Sequence, residues 1–231
     1  MSDVTHLSII ADRHGFAVLF PQGFKDTWAV PGFDTPALQS GVDDVPFVRA
    51  LIDDVGIRFQ LDTSRVVAVG LSNGAFLSQL LGCAIAGRLI GIVPVAGVML
   101  RKTLASCVPS RRISVLEIHG TDDPVVAYNG VAGADGSLSF TETLGFWAKV
   151  DGCSGQPAAN QVASTVSDKT TVTTLQYSNC ASGTEVTGYS VGGGGHAWPG
   201  GAAIGSVDQA GVTSRQFDTS ELIWSFLDRH R

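Results

Sequence analysis

The chain predicts an α/β fold in one domain, a mostly parallel sheet flanked by helices across residues 1–231. Three observations carry that expectation. Short continuous apolar runs alternate with segments of helical periodicity, the pattern of strands covered on both faces by crossover helices. Hydrophobic residues make up 44% of the chain and charged residues 16%, enough apolar surface for one sizeable core. No internal repeat, low-complexity linker or break in composition marks a second domain.

Residues 2–12 predict a short opening helix, with Leu7, Ile10 and Ala11 on one face and Ser2 or Asp3 as its cap. Residues 15–20 form a compact apolar run ended by Pro21, which predicts a buried strand. A loop with Trp28, Pro31, Gly32 and Pro36 follows. Val45, Val48, Leu51, Ile52 and Val55 then recur at helical spacing within 42–59. Residues 65–69 read as a strand and 75–85 as the helix after it. Runs at 89–95 and 113–118 predict two further strands. Helical spacing returns at 140–150, strands at 172–177 and 185–191 flank the Cys180 loop, and 219–230 closes the chain as a helix capped by Asp218 or Ser220.

Bulk charge excludes some classes of partner. A net charge of -6 and a pI near 5.2 leave no basic stripe for nucleic acid. No apolar stretch is long enough to span a bilayer, so no membrane role is expected. Residues 1–10 lack the basic start and continuous apolar core of a secretory signal, which fits a cytoplasmic chain or one that begins after its leader.

The four cysteines, Cys83, Cys107, Cys153 and Cys180, contain no C-x-x-C pair, and no His or carboxylate cluster has ligand spacing, so no metal and no cofactor is expected. Cys153 and Cys180 sit in polar loops rich in Gly and Ser, poor places for core thiols. That position favours a disulfide and an oxidising compartment.

The most specific signal is Gly70-Leu71-Ser72-Asn73-Gly74, set between an apolar strand and a helix. A G-x-S-x-G in that context is a nucleophile elbow, whose tight turn calls for flanking residues almost without side chains and lifts the hydroxyl clear of the sheet. A serine hydroxyl is a weak nucleophile by itself and needs a base, and the base needs an orienting acid. Chain order in such a sheet should be Ser, then Asp or Glu, then His.

Five histidines compete for the base. His6 and His14 precede the elbow, and His230 lies at the end of the last helix. His196 follows four consecutive glycines at 192–195, a costly run that makes sense where backbone must approach a crowded site. It is the candidate base. The acid should follow the 113–118 strand, where His119-Gly120-Thr121-Asp122-Asp123-Pro124 offers two adjacent carboxylates. Pro124 restrains the backbone after Asp123, but the residues alone hardly separate Asp122 from Asp123. His119 reads as a structural histidine bonded within its own turn. On this reading Ser72 attacks an ester carbonyl, His196 takes its proton, and the Asn73 N–H donates to the oxyanion at a helix N-terminus.

Together these motifs resemble the polyhydroxybutyrate depolymerase and feruloyl esterase-like family of α/β-hydrolases. The matching stretches are 11–16 with Phe20-Pro21, 42–45, 65–74, 93–97, 119–126 and 194–200. The resemblance implies an α/β-hydrolase-like fold, a Ser72, Asp123 and His196 triad, and Asp123 rather than Asp122 as the acid. It also implies cystines Cys83–Cys107 and Cys153–Cys180, a secreted enzyme, and Trp28 and Trp198 as walls of the acyl pocket. A polymeric or small ester substrate is the expected partner. Relative to that family the chain is shortened at its N-terminus, without the strands and His-Gly turn that supply a second oxyanion donor. Three arrangements then follow for the gap: direct pairing of the 16–20 and 65–69 strands, a second copy completing the sheet, or an open edge. A catalytically weak remnant acting in binding or assembly is the competing reading.

Overall fold

A computed structural model describes residues 1–230. Its helices are α1 (Ser2–Thr5), α2 (Leu7–His14), α3 (Pro36–Ser40), α4 (Asp44–Phe59), α5 (Asn73–Ala84), α6 (Arg101–Ala105), α7 (Phe140–Val150), α8 (Val207–Ala210) and α9 (Thr219–Arg229). The strands are β1 (Val67–Leu71), β2 (Gly91–Val95), β3 (Ser114–Gly120), β4 (Ser154–Val162), β5 (Thr171–Ser178) and β6 (Val186–Gly192). They form one six-stranded sheet in the order β1-β2-β3-β6-β5-β4. β1, β2, β3 and β6 run parallel, whereas β5 and β4 continue the sheet antiparallel.

The continuous apolar runs mark the strands that lie between two helical layers. Every residue of β2 and β3 is buried. On one face Ile92 and Val115 pack with Phe76, Leu77 and Leu81 of α5 and with Leu144 and Trp147 of α7. On the other, Val93, Val95, Leu116 and Ile118 meet Leu7, Ile223 and Phe226. Side-chain alternation along each strand sends successive residues into the two layers.

Local chemistry sets the helix ends. A reciprocal capping box of Ser139 and Glu142 starts α7, and Asp218 Oδ1 accepts from the Ser220 and Glu221 N–H groups at the start of α9. The single opening helix expected at 2–12 is instead two, broken at His6, whose φ of 54° is left-handed.

The expected strand at 15–20 does not form. The segment packs Phe16 and Val18 against the apolar cluster beside β1, leaves Ala17 and Leu19 exposed, and joins no ladder. Its apolar content reflects a one-sided packing strip. β1 is consequently a sheet edge among the described residues of the single chain, and the expected direct pairing of the 16–20 and 65–69 segments is absent. β4 was not legible in the sequence. It is almost wholly exposed and carries no apolar alternation, and only pairing with β5 makes it a strand.

Both cystines are present, Cys83–Cys107 and Cys153–Cys180, and no free cysteine remains. The first ties the end of α5 to the segment after α6, and the second ties the loop after α7 to the loop between β5 and β6.

Candidate active site

Ser72, Asp123 and His196 follow β1, β3 and β6, three parallel strands, so all three belong to the carboxyl end of the sheet. Ligand and catalytic groups gather at that end because parallel strands open there into loops.

Ser72 has φ 58° and ψ -120°, a conformation that L-residues seldom adopt, held between β1 and α5. Its N–H donates to the Val95 carbonyl, and its own carbonyl accepts from Ala75 and Phe76 as α5 begins. The tightness rests on Gly70, where an added Cβ would lie 1.9 Å from the Gly74 carbonyl oxygen. Gly74 is different. A Cβ there would meet only Trp28 Nε1, at 4.0 Å, so the expectation that both flanking glycines are forced by space holds at Gly70 alone. The Asn73 N–H, in the first turn of α5, has no acceptor among the described residues and is free to donate.

The base and acid loops are stitched together. Thr121 N–H donates to Val191 O, Asp122 N–H to Gly194 O, and Gly193 N–H to Thr121 Oγ1. The glycine run answers close approach. A Cβ on Gly195 would lie 2.1 Å from the Ala210 carbonyl oxygen, and the His196 N–H donates to that same carbonyl at 2.6 Å.

His196 Nδ1 lies 2.8 Å from Asp123 Oδ2, both side chains buried. The other oxygen, Oδ1, accepts from the Val125 and Val126 N–H groups, each at 2.8 Å. Asp122 is exposed and accepts only from Thr121. Burial pushes the Asp123 carboxyl up. Hydrogen bonds from His119, His196 and the Val126 N–H outweigh it and hold the group well below the ordinary carboxylate range. His196 and Ser72 make no direct hydrogen bond to each other among the described residues. Such contacts are often long before substrate arrives.

His119 bonds within its turn, Nε2 standing 3.0 Å from the Val126 carbonyl oxygen. It also reaches Asp123 Oδ2 at 3.3 Å, a contact that the strand pattern did not announce.

Trp28 and Trp198 part company. Trp28 is half-buried beside the elbow, stacked on Phe47 with ring centroids 6.4 Å apart. Trp198, the other expected pocket wall, is 1% exposed in the core under α9, its Nε1–H donating to Ser220 Oγ. It packs the core and lines no open site. The sequence also missed what holds Trp28: its N–H and carbonyl bond the Asn73 side-chain amide, and the next N–H donates to Asp44. Among the described residues no group of three His, Cys, Asp or Glu is placed to hold a metal ion, and no helix is long and apolar enough to cross a membrane.

A model of the family described as "Esterase PHB depolymerase" matches residues 1–133. The putative esterase NocK of Nocardia uniformis subsp. tsuyamanensis is 27% identical over 96% of the chain and 67% of its own length. Feruloyl esterase B of Piromyces equi is 30% identical over 67% of the chain but only 29% of its own length. Poly(3-hydroxyalkanoate) depolymerase C of Paucimonas lemoignei is 26% identical over 39% of the chain and 22% of its own length. The chain thus spans about two thirds of the first of these relatives and under a third of the others. Among solved structures, an acetyl xylan esterase from Aspergillus awamori superposes with a TM-score of 0.58 at 13% identity, covering 85% of this chain and 77% of that one. That likeness establishes an α/β-hydrolase-like fold.

Proposed function

Since the chain belongs to the PHB depolymerase esterase family, we propose that it is a carboxylic ester hydrolase working through an acyl-enzyme on Ser72. The observation that carries this reading is the buried 2.8 Å pair of Asp123 and His196, set at the same end of the sheet as the strained Ser72.

In the proposed sequence Ser72 Oγ attacks the ester carbonyl as His196 Nε2 takes its proton, and Asp123 stabilises the imidazolium. The oxyanion accepts a hydrogen bond from the Asn73 N–H at the start of α5. Collapse of the tetrahedral intermediate expels the alcohol, which receives the proton from His196. A water then enters, is deprotonated by the same imidazole, and releases the acid.

The substrate class we propose is a short-chain polyester such as a polyhydroxyalkanoate, or a feruloyl or acetyl ester, in line with the names of the relatives. Trp28, stacked on Phe47 beside the elbow, is the proposed acyl wall. Two cystines favour an oxidising compartment, hence a secreted protein. The open β1 edge, with Ile57 81% and Phe59 67% exposed at the end of α4, supports self-association through a second copy. A single monomeric species in light scattering would remove that last element.

Hydrolysis of a short-chain p-nitrophenyl ester by wild type and Ser72→Ala tests the enzyme reading. Removing the nucleophile should lower turnover by about 10^3-fold or more. Equal rates in both would leave a binding or assembly protein.

A further inference from the structure

The carboxylate of Asp123 serves two imidazoles through one oxygen. His196 Nδ1 is 2.8 Å from Oδ2 and His119 Nε2 is 3.3 Å from the same atom. We propose that His119 is a positioning residue for the reaction, donating to Asp123 Oδ2 so that the acid is aimed and restrained in its hold on His196. This inference rests on the Ser72, His196 and Asp123 assignment above.

The tautomer follows from the partners. His119 Nε2 faces a carbonyl, Val126 O at 3.0 Å, and a carboxylate oxygen, and both only accept. Nε2 therefore carries the proton, bonded to Val126 O and within 3.3 Å of the carboxylate oxygen. Nδ1 is left as a buried nitrogen with no hydrogen-bond partner among the described residues. An unpaired buried acceptor is unfavourable. A merely space-filling residue at this point would avoid that cost, so the orphaned atom argues that the donor on the other side of the ring is the one that matters.

The ring has little freedom to turn away. It is 1% exposed on β3 and meets Tyr128 and Phe140 edge-on, with centroids 5.8 and 6.3 Å away. Tyr128 is itself tied by its hydroxyl to Ser190 Oγ on β6. The titratable groups around it are Asp123, Tyr128 and Glu117, which lies two residues earlier on the same face of β3, with His196 across the carboxylate.

Four contacts therefore surround the two oxygens of Asp123: two backbone N–H groups on Oδ1 and two imidazoles beside Oδ2. Oδ1 is fully occupied by Val125 and Val126, so the charge available to His196 sits on Oδ2. His119 draws on that charge. Without it, Oδ2 would hold the His196 imidazole with looser aim, which slows proton transfer, and would keep more charge facing it, which raises its proton affinity.

The test compares wild type, His119→Phe, which keeps the ring and loses the donor, and His119→Gln, whose amide can still donate. Ester turnover is measured across pH, with Ser72→Ala as the reference for the catalytic assignment. His119→Phe should lower kcat roughly tenfold, the factor of one lost hydrogen bond of ordinary strength, with KM little changed. The acid limb of its kcat/KM profile should move to higher pH, and His119→Gln should restore most of both. A structural role would lower thermal stability without moving the limb. If His119→Phe does not fold, nitrogen NMR of the wild type and Asp123→Asn decides: a His119 Nε2–H resonance that shifts when the carboxylate is removed supports the proposal, and one that stays, or a proton on Nδ1, overturns it. An unmoved limb and unchanged kcat in folded His119→Phe would overturn it too, while Ser72→Ala stayed inactive. An active Ser72→Ala would instead bring down the triad assignment and this inference with it.

Discussion

The side-chain amide of Asn73 clasps the backbone of Trp28 at two points, Oδ1 accepting from its N–H at 2.7 Å and Nδ2 donating to its carbonyl at 3.2 Å. The residue after the nucleophile thus has two separate tasks. On the proposed mechanism its backbone N–H serves the oxyanion, and its side chain fixes the loop that carries the proposed acyl wall. Asn73→Ala leaves the first and removes the second. KM for an aryl ester should rise about tenfold, the equivalent of one typical hydrogen bond, with a smaller change in kcat. Steady-state kinetics with aryl and acetyl esters would check this, the acetyl ester being the less affected.

The two glycines of the elbow should respond differently to the same change. A Cβ on Gly70 would lie 1.9 Å from the Gly74 carbonyl oxygen, whereas one on Gly74 would have 4.0 Å to its nearest neighbour. Gly70→Ala should therefore destabilise the fold by about 1–3 kcal/mol or more, since backbone must shift to admit it. Gly74→Ala should fold with nearly the stability of wild type. Denaturant unfolding of both variants measures the difference.

Asp151 makes stability depend on pH. Burial pushes its carboxyl up to about 6, against the opposing Ile113 N–H, Thr184 side chain and Arg112 charge, and Oδ2 has no hydrogen-bond partner among the described residues. The folded state keeps a proton that the unfolded chain releases from 3.8 upward. Its contribution is therefore complete below the unfolded value and is lost as pH rises through about 6. Asp151→Asn carries no such charge and can still accept from Ile113. The melting temperature of the variant relative to wild type should climb between about pH 4 and about pH 7. A constant difference across that range would contradict the assignment.

The two cystines close loops of similar span, with separations of 24 and 27 residues. Loop-closure entropy puts each at about 3 kcal/mol. Replacing Cys153 and Cys180 by serine should lower the melting temperature and loosen the β4–β5 hairpin first, because β4 is almost wholly exposed and has one neighbour in the sheet. Hydrogen exchange resolved along the chain would show protection lost at residues 154–178 before the parallel strands.

Legibility followed burial. β2 and β3 were evident because strands covered on both faces must be apolar throughout, and the elbow because so sharp a turn demands glycine at Gly70. The site residues were legible as types and order: one serine in an elbow, one histidine after a glycine run, and an acid loop between them. Choosing Asp123 over Asp122 needed the family resemblance, since adjacent carboxylates differ only in which way the backbone turns them.

What the amino-acid sequence by itself determined is the parallel core, the positions of Ser72 and His196, and the presence of loop cysteines, all consequences of local periodicity and backbone sterics. Only the tertiary structure decided that residues 15–20 join no ladder, that β4 is a strand, that Trp198 is core, and that His119 shares Oδ2 of Asp123. Each of those depends on a neighbour distant in the chain or on a hydrogen bond across a turn. Hydrogen-bond partners and burial are properties of the packed assembly, and no local pattern encodes them.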